Sequence, residues 1–418
     1  MAAHTAHNAS GPQPQPACEL ADIVRRYGDA YRSTHALPLP HLKVLQAIED
    51  CRTAALGGHR EFCAHCGFER YAYNSCRNRH CPKCQSLTRA QWLEARQAEV
   101  LPVPYFHNVF TLPHELNGLI LCQEQNKQVV LNLLFQAAAE TLLQFGRYNL
   151  GGTLGVTMVL HTWDQQLRAH YHVHCLIPGG ALSADGQRWH PSRPRFLFPV
   201  RALSRVFRGK FLEGLQELYD NQRLCFPAPV EQLGGAVVFQ ALLAQLRRKS
   251  WVVYSKPPFA GPEKLLNYLG RYTHRVAISN ARLLSADDGQ VCFRYRDRTD
   301  DDRVKALTLP AEEFLRRFLL HTLPSGFQRI RHYGLLAKRN KKEHLARCRD
   351  LLGAEPPEPL EKKTTAEWLL LLLGIDITRC PRCGQGPLQR SLLEPQRPVW
   401  ALLARRPLLT RPQWDDSS

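Results

Sequence analysis

Ala169-His-Tyr-His-Val-His-Cys-Leu-Ile-Pro-Gly-Gly180 is the stretch on which the reading of the chain turns. Its alternation is that of a β-strand, in which side chains two apart share a face. His170, His172 and His174 therefore project together, while Tyr171, Val173 and Cys175 point the other way. Neutral imidazole is the commonest metal ligand among side chains, and donors on a rigid strand need little ordering to bind. One His-x-His pair alone is more often a polar strand face than a site, so the flanking sequence has to decide. A second strand-like run, Leu154-Gly-Val-Thr-Met-Val-Leu-His161, ends on another histidine. The polar segment Trp163-Asp-Gln-Gln-Leu-Arg168 between the two runs has hairpin-loop character. A register pairing Thr162 with Ala169 sets His161 opposite His170, on the face of His172 and His174. Three imidazoles with open coordination positions are the arrangement a catalytic metal needs.

Downstream lies Gly261-Pro-Glu-Lys-Leu-Leu-Asn-Tyr-Leu-Gly-Arg-Tyr-Thr-His-Arg-Val276. Pro262 and Glu263 suit a first helical turn, by fixed φ and by the helix dipole. Tyr268 and Tyr272, four apart, stack on one helical face. Lys264, Arg271, His274 and Arg275 surround them with positive charge.

The whole chain has 418 residues, a net charge of +18 and a pI near 9.5, a balance that favours a polyanionic partner. Its 44% hydrophobic and 22% charged residues fit a globular protein of two or three domains. The start, Met1-Ala-Ala-His-Thr-Ala-His-Asn8, lacks the pattern of a signal peptide. The leucine-rich run Trp368–Leu373 is too short to span a bilayer, so no membrane partner is expected. No Gly-x-x-x-x-Gly-Lys-Ser/Thr loop occurs, which argues against a nucleoside-triphosphate engine. A cytoplasmic, nucleoid-associated setting in a bacterium is the expectation.

Fourteen cysteines, some in Cys-x-x-Cys pairs beside histidines, point to metal rather than disulfides. Between residues 51 and 84 stand Cys51, His59, Cys63, Cys66, Cys76, His80, Cys81 and Cys84. Cys63-x-x-Cys66 and Cys81-x-x-Cys84 together make a four-thiolate zinc site, and Cys51, His59, Cys76 and His80 make a second. A cross-braced pairing fits the spacing equally well. Cys380-Pro-Arg-Cys383 is half a zinc site whose partners would be His344 and Cys348, another subunit, or nothing.

Elsewhere, residues 19–50 show helical periodicity, Tyr105–Leu112 alternates like a strand, and Asn126–Tyr148 reads as an amphipathic helix. His107, on that first strand, reads as a packed histidine. Val200–Tyr219 and Glu312–His321 read as helices, and Trp251–Tyr254, Val276–Ser279, Val291–Tyr295 and Val304–Leu309 as strands. Gly179-Gly180 is a break at which a nucleic-acid backbone can approach closely. Asp300-Asp301-Asp302 is most simply a solvated loop. Phe327–Arg349 interleaves cations with aromatic rings, a pattern that can track phosphates and stack bases.

His172-Val-His174 followed by Tyr268-x-x-x-Tyr272 resembles the HUH endonucleases, and in particular the two-tyrosine rolling-circle transposases of insertion sequences of the IS-ninety-one type. Cys51-Arg-Thr-Ala-Ala-Leu-Gly-Gly-His59, Ser75-Cys-Arg-Asn-Arg-His-Cys-Pro-Lys-Cys-Gln85, Leu160-His-Thr-Trp163, Trp251-Val-Val-Tyr-Ser-Lys256 and Tyr268-Leu-Gly-Arg-Tyr-Thr-His-Arg275 look like that family as well. The resemblance covers roughly residues 20 to 390. It implies an α+β fold, an HUH-type antiparallel sheet with packed helices, preceded by a small zinc-binding domain. The expected organisation is a disordered tail over 1–17, a helical and zinc-binding domain over 18–98, a nuclease domain over 99–340 and a basic region over 341–418. The resemblance also implies Tyr268 and Tyr272 as nucleophiles, Mg²⁺ or Mn²⁺ at the histidines, and structural Zn²⁺ in the cysteine module. It makes His161, with His172 and His174, the third ligand; His170 is the alternative. Single-stranded DNA and transposon ends would be the partners, contacted by Lys256, Lys264, Arg271 and Arg275. A plasmid replication initiator or relaxase shares this chemistry, and a zinc-dependent DNA-binding regulator without catalysis is the reading of another class.

Overall fold

Strands buried on both faces build the centre of the protein. The computed structural model describes residues 18–256, 266, 270, 277–297 and 299–396. The chain forms two units, a larger one of Met1–Leu45 with Arg79–Glu361 and a smaller one of Gln46–Asn78 with Lys362–Ser418.

With strands counted along the chain, the larger unit holds a sheet of β3 (Tyr105–Thr111), β5 (Gly155–Trp163), β6 (Ala169–Pro178), β9 (Val253–Lys256) and β13 (Ile330–Gly334). Its order is β13-β5-β6-β3-β9, antiparallel throughout. One face is apolar: Phe106, Phe110, Val156, Met158, Leu160, Tyr171, Val173, Cys175 and Ile177 are buried there in the main core. Two helices cover it, α5 (Glu124–Leu150) and α6 (Val200–Asp220). Phe207 of α6 meets Phe110 edge-on at 5.0 Å and Trp251 at 5.4 Å. Phe207→Ala is expected to cost about 3–5 kcal/mol, read as a lowered urea midpoint of the larger unit.

Helix α5 is long and apolar enough to cross a membrane by length and composition, but 67% of its most apolar window is buried inside the protein. It is buried on more than one face, beyond the amphipathic expectation, because it packs against both α6 and the sheet.

Two smaller sheets complete the larger unit. In the first, β4 (Gly152–Thr153), β7 (Gly180–Ser183) and β8 (Trp189–Pro191) run in the order β4-β7-β8. Here the Gly179-Gly180 break has a cause within the fold. A Cβ at Gly180 would lie 2.5 Å from the Trp189 ring, and one at Gly179 would lie 2.9 Å from the Pro104 carbonyl. In the second, β10 (Leu283–Ser285), β11 (Gln290–Asp297) and β12 (Arg303–Pro310) are backed by the helix Ala311–Leu319, Phe293 meeting Phe314 at 5.8 Å. Asp300–Asp302 form the turn before β12, with Lys305 bridging Asp297 and Asp300 at 2.8 and 2.9 Å. Ala277–Ser279 is irregular where a strand was expected, since Ala277 sits at φ +60°, a value that interrupts extended chain.

The smaller unit is built on β1 (Gly58–Phe62), flanked by β2 (Glu69–Tyr73) and by β14 (Gln389–Leu393) from the far end of the sequence. Both neighbours are antiparallel, and Glu61 stands opposite Arg70 on one side and Arg390 on the other. Its buried carboxylate takes both cations, at 2.5 and 2.9 Å. A one-residue slip of either strand would strand that charge, so the pair fixes register.

Candidate metal centre and zinc-binding unit

The second face of the five-stranded sheet carries the histidines. His161, His172 and His174 are 3%, 9% and 7% exposed. His161 pairs with His172, and Val159 with His174. The expected register of Thr162 on Ala169 is therefore corrected: Trp163 pairs with Ala169 after an irregularity that begins at His161. The turn is the reason. The Asp164 carboxylate accepts from the Gln166 and Arg168 amides at 2.8 Å each, and Leu167 adopts φ +62°. Thr162 turns to His321, its hydroxyl 3.2 Å from Nδ1.

One ring nitrogen from each of His161, His172 and His174 lies within 4.8 Å of the others. Nε2 of His174 is 3.1 Å from Nδ1 of His161. Metal–nitrogen bonds of about 2.1 Å put adjacent donors about 3 Å apart, so this spacing suits two donors on one cation. Nδ1 of His172 is 3.0 Å from the His170 carbonyl, which can only accept; that contact puts the His172 proton on Nδ1 and leaves Nε2 bare. His170 itself lies outside the three-histidine group. On the far side, Nε2 of His107 is 2.8 Å from Nδ1 of His174.

Cations and polar groups continue along this face. Lys256 stands opposite His107 on β9, with Nζ 5.8 Å from the Tyr254 ring centroid. Burial, reinforced by Lys256, lowers the His107 pKa to about 4. His332 joins Thr157 at 3.0 Å and Arg96 at 3.2 Å, and burial with Arg96 and Lys341 brings its pKa to about 4. Both rings are therefore neutral at pH 7. Leu266 is helical and buried against Tyr105 and Leu176. Gly270, also helical, comes so near Leu93 in α3 (Gln85–Gln97) that a Cβ would lie 2.7 Å from it. Tyr268, Tyr272, Lys264, Arg271 and Arg275 lie outside the described residues.

In the basic stretch Phe327–Arg349, part of the charge is spent inside the fold. The Arg331 guanidinium lies 4.2 Å from the Phe135 ring centroid and 5.0 Å from that of Phe327, and Arg329 is buried. Lys338, Arg339 and Lys342 are exposed.

The smaller unit brings together Cys63, Cys66, Cys380 and Cys383, all four Sγ atoms within 4.8 Å. Cys63 and Cys383 are 3.7 Å apart, Cys66 and Cys380 3.6 Å. Zn–S bonds of about 2.3 Å in a tetrahedron place sulfurs about 3.8 Å apart. The two knuckles are alike: the Gly67 amide donates to the Cys63 carbonyl at 3.0 Å and the Gly384 amide to that of Cys380 at 2.9 Å. Both glycines have φ near +70°, at +69° and +68°. This corrects the pairing of Cys63 and Cys66 with Cys81 and Cys84. It also corrects the proposed partners of Cys380 and Cys383. Cys348 is buried with Leu101 and Leu335 in the larger unit, its thiol pushed up to about 11 by burial, and His344 faces the Leu335 carbonyl. His59 lies on β1 and is outside the four-cysteine group. His80 is buried in the larger unit, where desolvation and then Arg79 lower its pKa to about 3. Cys51 and Cys76 belong to the smaller unit, Cys81 and Cys84 to the larger.

Residues 23–112 match a family described as a transposase zinc-binding domain, and residues 155–344 one described as a putative transposase. The chain is 51% identical over 374 residues, 88% of its own length and 93% of the relative's, to the putative transposase y4qJ of Sinorhizobium fredii. It is 28% identical over 337 residues to the transposase for insertion sequence element IS801 of Pseudomonas savastanoi pv. phaseolicola, covering 80% of this chain and 79% of that one. A solved structure of the conjugative relaxase TrwC with oriT DNA matches 40% of this chain and 71% of its own at 15% identity, with a TM-score of 0.22, too slight a likeness to support an argument. With the zinc-binding and transposase regions both matched and a relative aligned over nearly its whole length, the chain belongs to the insertion-sequence transposases of the IS-ninety-one type.

Proposed function

We propose that this transposase nicks and rejoins single-stranded DNA through a 5′-phosphotyrosine, and so moves an insertion sequence by a rolling-circle-like mechanism. The observation that carries the reading is the convergence of His161, His172 and His174 on one sheet face, with Nε2 of His174 turned toward Nδ1 of His161. A divalent cation bound there, Mg²⁺ or Mn²⁺, supplies orientation of the scissile phosphate and stabilisation of its developing charge.

The protein's own groups do the rest. A phenol with a reference pKa of about 10 is mostly protonated at neutral pH, so Tyr268 or Tyr272 needs nearby positive charge to attack as phenolate. Lys264, Arg271 and Arg275 provide it in sequence, and Lys256 stands on the histidine face. The phenolic oxygen forms a bond to phosphorus, the bond to the 3′ oxygen breaks, and that oxygen leaves as a hydroxyl after taking a proton. The phosphodiester energy is kept in the tyrosine ester, so rejoining needs no nucleoside triphosphate. Two tyrosines allow one to hold the first strand while the other makes the second cut.

Single-stranded DNA at transposon ends is the proposed partner, in a bacterial cytoplasm and at its nucleoid. Zinc in the Cys63, Cys66, Cys380, Cys383 site holds the smaller unit together, and Cys51, Cys76, Cys81 and Cys84 are proposed as further zinc ligands.

Incubation with labelled single-stranded element ends and Mn²⁺, followed by a denaturing gel, tests the reading. A denaturation-resistant adduct is expected, and Tyr268→Phe with Tyr272→Phe should remove it entirely. Folded, zinc-loaded protein that binds these ends yet never yields an adduct would leave a DNA-binding regulator as the better description.

A further inference from the structure

We propose that His107 is a positioning residue for the histidine face: its Nε2 accepts the Nδ1–H of His174 and so keeps the Nε2 lone pair of His174 aimed at the cation. The proposal rests on the metal-binding reading of His161, His172 and His174.

The two rings are parallel within 6°, their centroids are 5.0 Å apart, and the nitrogens meet at 2.8 Å. Strand register makes this contact. His174 pairs with Val109 and Leu176 with His107, so the two histidines are diagonal neighbours on one face of adjacent strands. At 1% exposure His107 cannot swing away to water.

A nitrogen-to-nitrogen hydrogen bond needs one donor and one acceptor. Nε2 of His174 points at Nδ1 of His161, where both must offer lone pairs to one cation. The proton of His174 then sits on Nδ1, and the facing Nε2 of His107 has to be bare. His172 shows the same device with a different acceptor, the His170 carbonyl. A partner that fixes the tautomer and orientation of a ligating histidine commonly carries a 10- to 100-fold share of metal affinity. On the same strand face, Lys256 stands opposite His107.

Two variants separate positioning from packing. His107→Phe keeps a flat ring and offers no acceptor; His107→Gln keeps an acceptor oxygen near the place of Nε2. Mn²⁺ titration by calorimetry should show His107→Phe about 10- to 100-fold weaker, with His107→Gln within a few-fold of the parent and both unfolding at the parent's urea midpoint. Equal affinity in His107→Phe, or equal loss in both variants, would overturn the proposal. A second readout needs no metal: ring ¹⁵N shifts of metal-free protein should report His174 protonated at Nδ1, and the opposite tautomer would also overturn it. If His172→Ala leaves Mn²⁺ binding unchanged, the metal reading fails by itself, while the ¹⁵N result still decides what His107 does.

Discussion

Cys380→Ser combined with Cys383→Ser is expected to strip one zinc ion from the chain and unfold residues 46–78, which lie some three hundred positions upstream. The four sulfurs converge in one group, and two cysteines cannot close a tetrahedral site. One apolar cluster of the unit consists of Cys63, Cys380 and Leu388, with Cys66, Phe68 and Cys383 packed against them, so four of its six members are the ligands. In such modules metal binding is the folding energy, with apparent values of about 10–16 kcal/mol for structural zinc. Loss of the knuckle also frees β14, and Glu61, whose side chain is 2% exposed, then loses Arg390. Arg70 still holds that carboxylate, so this loss is the smaller effect beside loss of the metal. The measurement is elemental analysis of zinc per chain, paired with limited proteolysis. One zinc should be missing and new cleavage should map within residues 46–78. Truncation after Glu361 should do the same. A double variant with its full zinc complement would show that Cys63 and Cys66 find their partners elsewhere.

That dependence shows where sequence reading reaches and where it stops. Alternation around His172 and His174 was legible because a strand's period is short and local, and it made the shared histidine face readable, while the α+β class came with the family resemblance. The pairing of Cys63 and Cys66 was not, since it is chosen by the pairing of β1 with β14, a contact across most of the chain that no spacing records. The hairpin register slipped for a different reason. Leu167 takes a positive φ that glycine or asparagine would have signalled, and a leucine does not. His107 had the right parity on its strand, but β3 lies beside β6 through non-consecutive order, and parity means nothing until the neighbour is known. The cations of Arg329 and Arg331 read as a nucleic-acid track by composition, and tertiary packing claims them for the fold.

His172→Ala and His174→Ala are each expected to abolish the covalent DNA adduct and to weaken Mn²⁺ binding by at least about 100-fold, a loss of about 2.7 kcal/mol or more of binding free energy. Three imidazoles are few ligands for a hard divalent cation, and each is held by the sheet with no flexible stem that would let another donor move in. His161→Ala should fall in the same class, because its Nδ1 faces His174 Nε2 at 3.1 Å. His170→Ala should bind Mn²⁺ like the parent, because His170 stands outside the three-nitrogen group and its backbone carbonyl, which survives the substitution, is what holds His172. Stability should not follow affinity. The three rings lie on the face turned from the main apolar core, so the urea midpoint should move far less than for Phe207→Ala. Affinity, adduct and midpoint measured on the four alanine variants therefore have to sort as three against one. If His170→Ala loses the metal while His161→Ala keeps it, the third ligand comes from β6 itself, and the hairpin partner strand only walls the site.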